Sequence, residues 1–288
     1  MGKNLYDNFE ASRNIFAMAD KSLGFEISNL CFEGPDEKLK PTEIAQPAIL
    51  TVSIAAFLAM DKIPQAVAGH SLGEYSALVA AKVISFEDAV RIVNLRGRFM
   101  QEAVPAGVGA MYAILGLDRK SVVEAALKAA STKGVVEPAN FNSPGQIVIS
   151  GTKEAVEEAS RLCKEAGAKK VIPLAVSAPF HCSLMKPAAE KLAIELDKIS
   201  FSNASIPVYS NVTASAQTEG SKIKELLVRQ ITSPVLWEDT LKALGDGGFD
   251  TFVEVGCGKI LSQLVKKTLE NAKIYNVEDA SSLKGVVL

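Results

Sequence analysis

The chain has 288 residues and a formal net charge of −2, from 31 basic and 33 acidic side chains. This balance argues against a nucleic-acid-binding protein, because no basic excess is available to neutralise phosphates. Hydrophobic residues make up 48% of the sequence and charged residues 22%, values typical of a globular protein and not of a disordered chain or a coiled coil. We therefore expect a folded protein with a sizeable core.

Cysteine spacing and the apolar stretches point to a cytoplasmic protein. The four cysteines show no CxxC spacing, which favours a reducing compartment over a disulfide framework or a zinc site. The first residues contain no apolar leader. The most apolar stretch, residues 48–60, is shorter than the roughly 20 residues of a membrane helix and contains Thr51 and Ser53. We interpret it as a buried helix and expect no membrane association.

In chain order, the apolar pattern predicts a large α/β domain. Helical spacing of Leu5, Phe9, Phe16 and Leu23 begins almost at the first residue, where a parallel-sheet protein usually opens with a strand. The other elements predicted for this domain are strands over 65–69, 207–211 and 251–255 and helices over 72–81, 86–100 and 260–269.

The middle of the chain shows the β-α-β-β-α-β order of a ferredoxin-like unit. Its predicted elements are strands over 110–115, 135–140, 146–150 and 170–176 and helices over 119–131 and 153–166. Proline-marked segments bound this unit on both sides. We therefore predict a small domain over residues 108–176, inserted into a large domain formed by 1–107 and 177–288, with the cleft between them as the expected site.

A G-x-S-x-G sequence at residues 69–73 lies between a predicted strand and a predicted helix. This is the context of a nucleophile elbow, in which glycines permit a sharp turn and the helix N-terminus directs backbone N–H groups at a developing oxyanion. Ser71 is therefore the candidate nucleophile. The alternative is a glycine-bounded turn in which the serine only caps the helix.

Two histidines are available as the base for this serine. His70 adjoins Ser71, so its side chain should project away from it at a sharp turn. His181 lies in a proline-marked segment just after the small domain, where a loop can face the cleft, and is the stronger candidate. The alternative is an ordinary loop histidine. The neighbouring Cys182 is interpreted as a buried small apolar residue.

Arg96 falls in the middle of the apolar face of the helix predicted over 86–100. A guanidinium in that place needs an anionic partner, because an unpaired buried charge is strongly destabilising. The functional interpretation is a fork that grips a substrate carboxylate. A structural ion pair with an Asp or Glu elsewhere, or a side chain that extends to solvent, is the alternative.

These residues resemble the malonyl-CoA:acyl carrier protein transacylases, the acyltransferases of fatty acid and polyketide synthesis. Residues 69–78 (GHSLGEYSAL) are similar to the nucleophile segment of that family, and further similar segments follow the family's order along nearly the whole chain. They are Gln46–Ala48, Asn94–Gly97, Met100–Pro105, Phe141–Gln146, Ala178–Cys182, Val228–Gln230 and Glu254–Gly256.

The resemblance implies a hydrolase-like parallel-sheet α/β domain with a ferredoxin-like insertion, and a role for each site residue. Ser71 would take the malonyl group from coenzyme A, His181 would be base and then acid, and Arg96 would bind the malonyl carboxylate. Gln230 would orient His181 through its backbone carbonyl. The remaining implied site residues are Leu72, through its backbone N–H, and Met100, Asn142 and Phe180, which would line the pocket.

The resemblance also implies partners and a reaction. We expect malonyl transfer to the phosphopantetheine thiol of acyl carrier protein through a seryl ester, in a monomer that needs no cofactor and no metal. Malonyl-CoA and coenzyme A would be substrate and product. A serine hydrolase or thioesterase is one alternative, which predicts an acidic partner for His181 and no use for Arg96. A weakly active or non-catalytic homologue is the other.

Two features depart from the family pattern. Cys257 stands where many members have proline, a change in a turn. Members also begin with a strand and a glycine–glutamine loop that supplies one oxyanion-hole donor, and this sequence starts after both. We therefore expect weaker oxyanion stabilisation and lower activity.

Overall fold

The structure, a computed structural model, describes residues 1–176 and 178–287. Its helices are α1 Lys3–Asn8, α2 Glu10–Leu23, α3 Ile27–Glu33, α4 Asp36–Leu39, α5 Thr42–Met60, α6 Gly73–Ala80, α7 Phe86–Glu102, α8 Arg119–Lys133, α9 Lys153–Glu165, α10 Lys186–Leu196, α11 Gly220–Gln230, α12 Trp237–Asp246, α13 Ile260–Thr268 and α14 Ala280–Lys284. Its strands are β1 Val67–Ala68, β2 Gly109–Leu115, β3 Val136–Ser143, β4 Gln146–Thr152, β5 Lys170–Pro173, β6 Val208–Tyr209, β7 Ala216–Gln217, β8 Thr251–Val255 and β9 Lys273–Val277.

The middle of the chain forms the ferredoxin-like unit that the sequence predicts. Its four strands make one antiparallel sheet in the order β3-β4-β2-β5. Helices α8 and α9 pack on this sheet and enclose a core of their own, with Val122, Ile149 and Val156 fully buried. The last strand ends at Pro173 and not at residue 176. The predicted return to the large domain at residue 177 lies outside the described residues.

The large domain contains two short parallel strand pairs. Strand β1 pairs with β6, and β7 adds to β6 in the antiparallel sense. Strand β8 pairs with β9 over five residue pairs. The strands predicted over 65–69 and 207–211 are therefore present but shorter, with two residues each. The strand predicted over 251–255 and the helix that follows it are confirmed.

Helix α5 is the central helix of the large domain. It packs against α2 and α7, and its residues from Gln46 to Ala56 are buried with one exception, Ile49. The helix begins at Thr42, earlier than predicted, and its 19 residues would allow a membrane span by length and composition. Its place within the largest apolar cluster instead identifies it as a core helix.

The N-terminal residues are helical, as their spacing predicts, but form two helices. Phe9 has an extended backbone (φ −130°, ψ 126°) and separates α1 from α2. Leu5 and Phe16 are both fully buried, so the change of direction at Phe9 lets both helices direct an apolar face at α5.

Candidate active site

The turn between β1 and α6 presents Ser71. Its backbone is in the left-handed region, with φ 51°, which is rare for a residue with a side chain and is typical of a strained nucleophile elbow. A Cβ atom at Gly69 would lie 1.9 Å from the backbone carbon of Gly73, whereas one at Gly73 would meet nothing within 4 Å. The close approach of strand and helix therefore requires glycine at position 69 only.

Asn211 holds this turn in place. Its Oδ1 accepts a hydrogen bond from the backbone N–H of Ser71 at 2.6 Å, and its Nδ2 donates to the carbonyl oxygen of Gly69 at 2.7 Å. Asn211 is fully buried. Asn211 is not among the site residues expected from the sequence, because an asparagine at the end of a short strand has no motif of its own.

His181 lies against the serine. Its Nε2 is 2.8 Å from Ser71 Oγ, and its Nδ1 is 2.9 Å from the backbone carbonyl oxygen of Gln230. A carbonyl oxygen only accepts, so Nδ1 carries the proton and Nε2 is free to accept one from the serine hydroxyl. The pKa of His181 is lowered to about 3, chiefly by burial and secondly by the positive charge of Arg96. The imidazole is therefore neutral at neutral pH, as a base requires.

Arg96 also reaches the serine. The residue is 1% exposed, and its Nη2 donates to Ser71 Oγ at 3.0 Å and to Gln230 Oε1 at 2.9 Å, while Nη1 donates to Gln46 Oε1 at 2.8 Å. No described carboxylate forms an ion pair with it. The structural ion pair considered from the sequence is thus absent among the described residues, and the guanidinium has neutral hydrogen-bond partners.

The packing of α5 on α7 places this arginine. Pro47 has no N–H, so it leaves the carbonyl of Glu43 without its helical donor, and Asn94 Nδ2 donates to that oxygen at 2.7 Å. A Cβ atom at Gly97 would lie 2.6 Å from the Cα of Glu43. Because the two helices approach this closely, Arg96 on α7 can reach Gln46 on α5.

Gln230 joins these groups from the end of α11. Its backbone carbonyl faces His181, its side-chain oxygen faces Arg96, and its Nε2 donates to the backbone oxygen of Ser71 at 3.1 Å and to Glu74 Oε2 at 2.7 Å. Gln230 is fully buried and Glu74 is 2% exposed. Burial raises the pKa of Glu74 to about 7. Glu74 lies within the nucleophile segment, but the sequence predicts no role for it.

Comparison with known proteins identifies the family. Residues 1–285 match the acyl transferase domain. The chain belongs to the acyl transferase family. It is 50% identical to a malonyl CoA-acyl carrier protein transacylase of Bacillus subtilis over 287 residues, which cover 99% of this chain and 90% of that protein. The corresponding protein of Escherichia coli K12 is 49% identical over 272 residues, covering 93% and 88%.

Solved structures agree with this assignment. An acyl carrier protein S-malonyltransferase from Vibrio cholerae superposes with a TM-score of 0.97 at 45% identity, over 100% of this chain and 95% of that one. A malonyl-transacylase solved in complex with a type II PKS acyl-carrier protein superposes with a TM-score of 0.95 at 45% identity, covering 99% and 93%. The hydrolase-like core with a ferredoxin-like subdomain is therefore the fold of this acyl transferase.

His70 and Asn142 connect the two domains of this acyl transferase beside the nucleophile. His70 Nε2 lies 2.8 Å from Asn142 Oδ1 on β3 of the small domain, and the His70 ring lies edge-on to Trp237 at 5.7 Å. Burial lowers the pKa of His70. As expected from the turn, His70 has partners other than the Ser71 hydroxyl, and the structure gives Asn142 a contact with His70.

The remaining site residues of this acyl transferase lie around Ser71 in different environments. Leu72 precedes α6, and its backbone N–H donates no hydrogen bond to another described residue. Met100 is 2% exposed within the largest apolar cluster. Phe180 is partly buried and packs on both that cluster and the small-domain residues Met111 and Val148. Phe180 therefore lies where the two domains meet.

Proposed function

We propose that this acyl transferase moves a malonyl group from malonyl-CoA to the phosphopantetheine thiol of acyl carrier protein through an ester on Ser71. The observation that carries the proposal is a buried guanidinium 3.0 Å from the candidate nucleophile, with no carboxylate of residues 1–176 or 178–287 paired to it. A malonyl thioester has a free carboxylate two carbon–carbon bonds from its carbonyl carbon. The malonyl carboxylate can therefore reach Arg96 while the thioester carbonyl carbon is at Ser71.

In the first half-reaction, Ser71 Oγ attacks the thioester carbonyl carbon while His181 Nε2 accepts the hydroxyl proton. The tetrahedral intermediate carries its negative charge on the former carbonyl oxygen, and the N–H of Leu72, which has no partner in the part of the chain that the structure describes, donates toward it. When the carbon–sulfur bond breaks, the proton on Nε2 passes to the departing sulfur of coenzyme A. The malonyl group remains as a seryl ester.

In the second half-reaction, the thiol of acyl carrier protein gives its proton to His181 and attacks the ester carbonyl. The carbon–oxygen bond to Ser71 breaks, and His181 returns the proton to the serine. The backbone carbonyl of Gln230 keeps His181 in the tautomer that is protonated at Nδ1 throughout, because a carbonyl oxygen can only accept a hydrogen bond. These steps need proton transfer and nucleophilic attack alone, so we expect no cofactor and no metal.

The hydrolase and non-catalytic alternatives are not favoured. A serine hydrolase predicts an acidic partner for His181 and no use for Arg96, whereas His181 Nδ1 faces a backbone carbonyl and Arg96 contacts Ser71. A non-catalytic homologue would have no reason to keep a left-handed serine in line with a neutral histidine. We further propose a cytoplasmic monomer, with malonyl-CoA and acyl carrier protein as its partners and with domain boundaries at 107/108 and 176/177.

Mass spectrometry after brief exposure to malonyl-CoA tests the proposal. We expect a malonyl adduct on the peptide that contains Ser71, which disappears on addition of holo acyl carrier protein as malonyl-carrier accumulates. Ser71→Ala should show no adduct, and the exposed Ser131→Ala is the matched control. An adduct on Cys182 would refute the assignment. Free malonate that forms equally fast in the presence and in the absence of acyl carrier protein would also refute it.

A further inference from the structure

Glu74 is a buried acid that the proposed mechanism does not use. Its Oε2 accepts hydrogen bonds from Gln230 Nε2 at 2.7 Å and from the backbone N–H of Asn211 at 3.1 Å. The Ser210 hydroxyl also favours the charged form of the carboxyl group. These hydrogen-bond donors favour the charged form of the carboxyl group, whereas its burial opposes that form and raises the pKa to about 7.

Arg96 is the nearby buried group with the opposite charge, and one amide separates the two. Gln230 directs its oxygen at Arg96 Nη2, at 2.9 Å, and its nitrogen at Glu74. The amide dipole is thus oriented with its negative end toward the guanidinium and its positive end toward the carboxyl group. The carboxylate and the guanidinium therefore attract each other across this amide without direct contact. In addition, Arg96 Nε has no partner among the described residues.

We propose that Glu74 is a positioning residue that acts as the remote counter-charge of Arg96. Its carboxylate stabilises the buried guanidinium through Gln230 while it leaves the guanidinium without a carboxylate partner, so that a substrate carboxylate can bind there. The same negative charge repels that substrate carboxylate and limits how tightly the malonyl group is held, which lets the group leave on the second thiol. This inference rests on the proposed malonyl transfer.

Removal of the charge alone should strengthen binding of the malonyl carboxylate. Glu74→Gln keeps an oxygen for Asn211 and Gln230 and places its NH₂ toward Ser210, which can accept. With charges one amide apart in an effective dielectric of about 20, the loss of repulsion corresponds to about a 3- to 30-fold gain in affinity. Acetyl-CoA has no carboxylate, so its affinity should stay the same.

Equilibrium binding in a Ser71→Ala background measures this effect, because no ester can form. The quantity is the carboxylate preference, the ratio of the dissociation constants of acetyl-CoA and malonyl-CoA by titration calorimetry at about pH 8.5, where a carboxyl group of pKa near 7 is ionised. We expect Glu74→Gln to raise this preference about 3- to 30-fold. The exposed Glu190→Gln is the matched control and should leave it unchanged.

The outcomes separate this inference from the proposed function. A preference near one in Ser71→Ala itself would overturn malonyl recognition by Arg96. A clear preference that Glu74→Gln leaves unchanged or lowers would overturn the role of Glu74 alone. Glu74→Ala removes the anchor of Gln230 as well, so in an otherwise unaltered enzyme we expect it to lower kcat for malonyl and acetyl transfer alike, and by more than Glu74→Gln does.

A pH titration provides a second test that does not depend on folding of a Glu74 variant. The groups that face Glu74 are Gln230, Asn211, Ser210 and Arg96, together with the phenol of Tyr75, whose pKa burial raises to about 12. Both histidines of the site have lowered pKa values. Neither they nor the groups that face Glu74 therefore titrate near pH 7. The carboxylate preference of Ser71→Ala should therefore fall as the pH rises from about 5.5 to about 8.5. A flat profile would contradict the proposal.

Discussion

Replacement of Arg96 by alanine should change which acyl group the enzyme transfers. The guanidinium is 1% exposed, its hydrogen-bond partners are neutral, and its Nη2 lies 3.0 Å from Ser71 Oγ. A malonyl carboxylate at this place would form a desolvated, charge-assisted pair. An acetyl group has no charge to place there, so the two substrates should respond differently to the loss of the guanidinium.

The size of the effect follows from burial. Truncation of one partner of a buried, hydrogen-bonded charge pair costs about 2 to 5 kcal/mol, which is about a 30- to 5,000-fold fall in kcat/KM for malonyl-CoA. Acetyl transfer loses the hydrogen bonds from Nη2 to Ser71 and Gln230, which contribute about 1 kcal/mol each. Arg96→Ala also removes a buried charge that the acetyl group leaves unpaired, and this offsets part of the loss. We therefore expect acetyl transfer to fall by less than about tenfold.

The assay compares kcat/KM for malonyl-CoA and acetyl-CoA, with acyl carrier protein as acceptor, in the unaltered enzyme and in the variant. Arg98→Ala is the matched control, since it removes the same charge from an exposed position on the same helix. Arg96→Lys should recover only part of malonyl transfer, because an ammonium group cannot make a two-pronged contact with a carboxylate. Equal losses for both acyl groups in Arg96→Ala would make Arg96 a structural residue and refute the argument.

Three further predictions concern the serine and histidine. Gly69→Ala should abolish activity and destabilise the fold, because its Cβ would lie 1.9 Å from the Gly73 backbone carbon. Gly73→Ala should leave thermal stability nearly unchanged. Similar melting temperatures for the two variants would contradict this prediction. His181→Ala should slow acylation by about 10² to 10⁴ in stopped-flow measurements, and an unchanged rate would exclude it as the base. Because the pKa of His181 is lowered to about 3, the base stays neutral on mild acidification, so kcat/KM should not fall between about pH 8 and about pH 5; an acid limb near pH 6.5 would show a solvated imidazole.

Local sequence patterns predicted the elements that depend on local physics. Short apolar runs that alternate with amphipathic stretches placed the six elements of the ferredoxin-like unit in the right order, because its helices bury one face each and its strand β4 is buried along most of its length. The same reasoning found the elbow at Ser71, since glycines between a strand and a helix indicate a sharp turn. The short strands β1 and β6 were predicted too long, because strand length depends on pairing partners that local pattern does not specify.

Contacts between distant parts of the chain set the limits of the prediction at α5. The helix was predicted over residues 48–60, where the sequence is most apolar, and a proline such as Pro47 normally breaks a helix that continues through it. The structure continues the helix through it, because Asn94 satisfies the carbonyl that the proline leaves free and Gly97 lets α7 approach. A compensation supplied from another helix gives no local signal at the proline itself.

The electrostatic design of the site shows the same limit more sharply. An arginine in an apolar helical face signals a buried charge that needs an anion, and that argument led from the sequence to a carboxylate ligand. It did not distinguish a carboxylate of the protein from one of the substrate. The structure adds that Gln230 stands between Arg96 and Glu74 and fixes the His181 tautomer as well. Gln230 therefore contributes to charge compensation through its side-chain amide and to proton positioning through its backbone carbonyl, and a side-chain substitution directly removes only the first contribution.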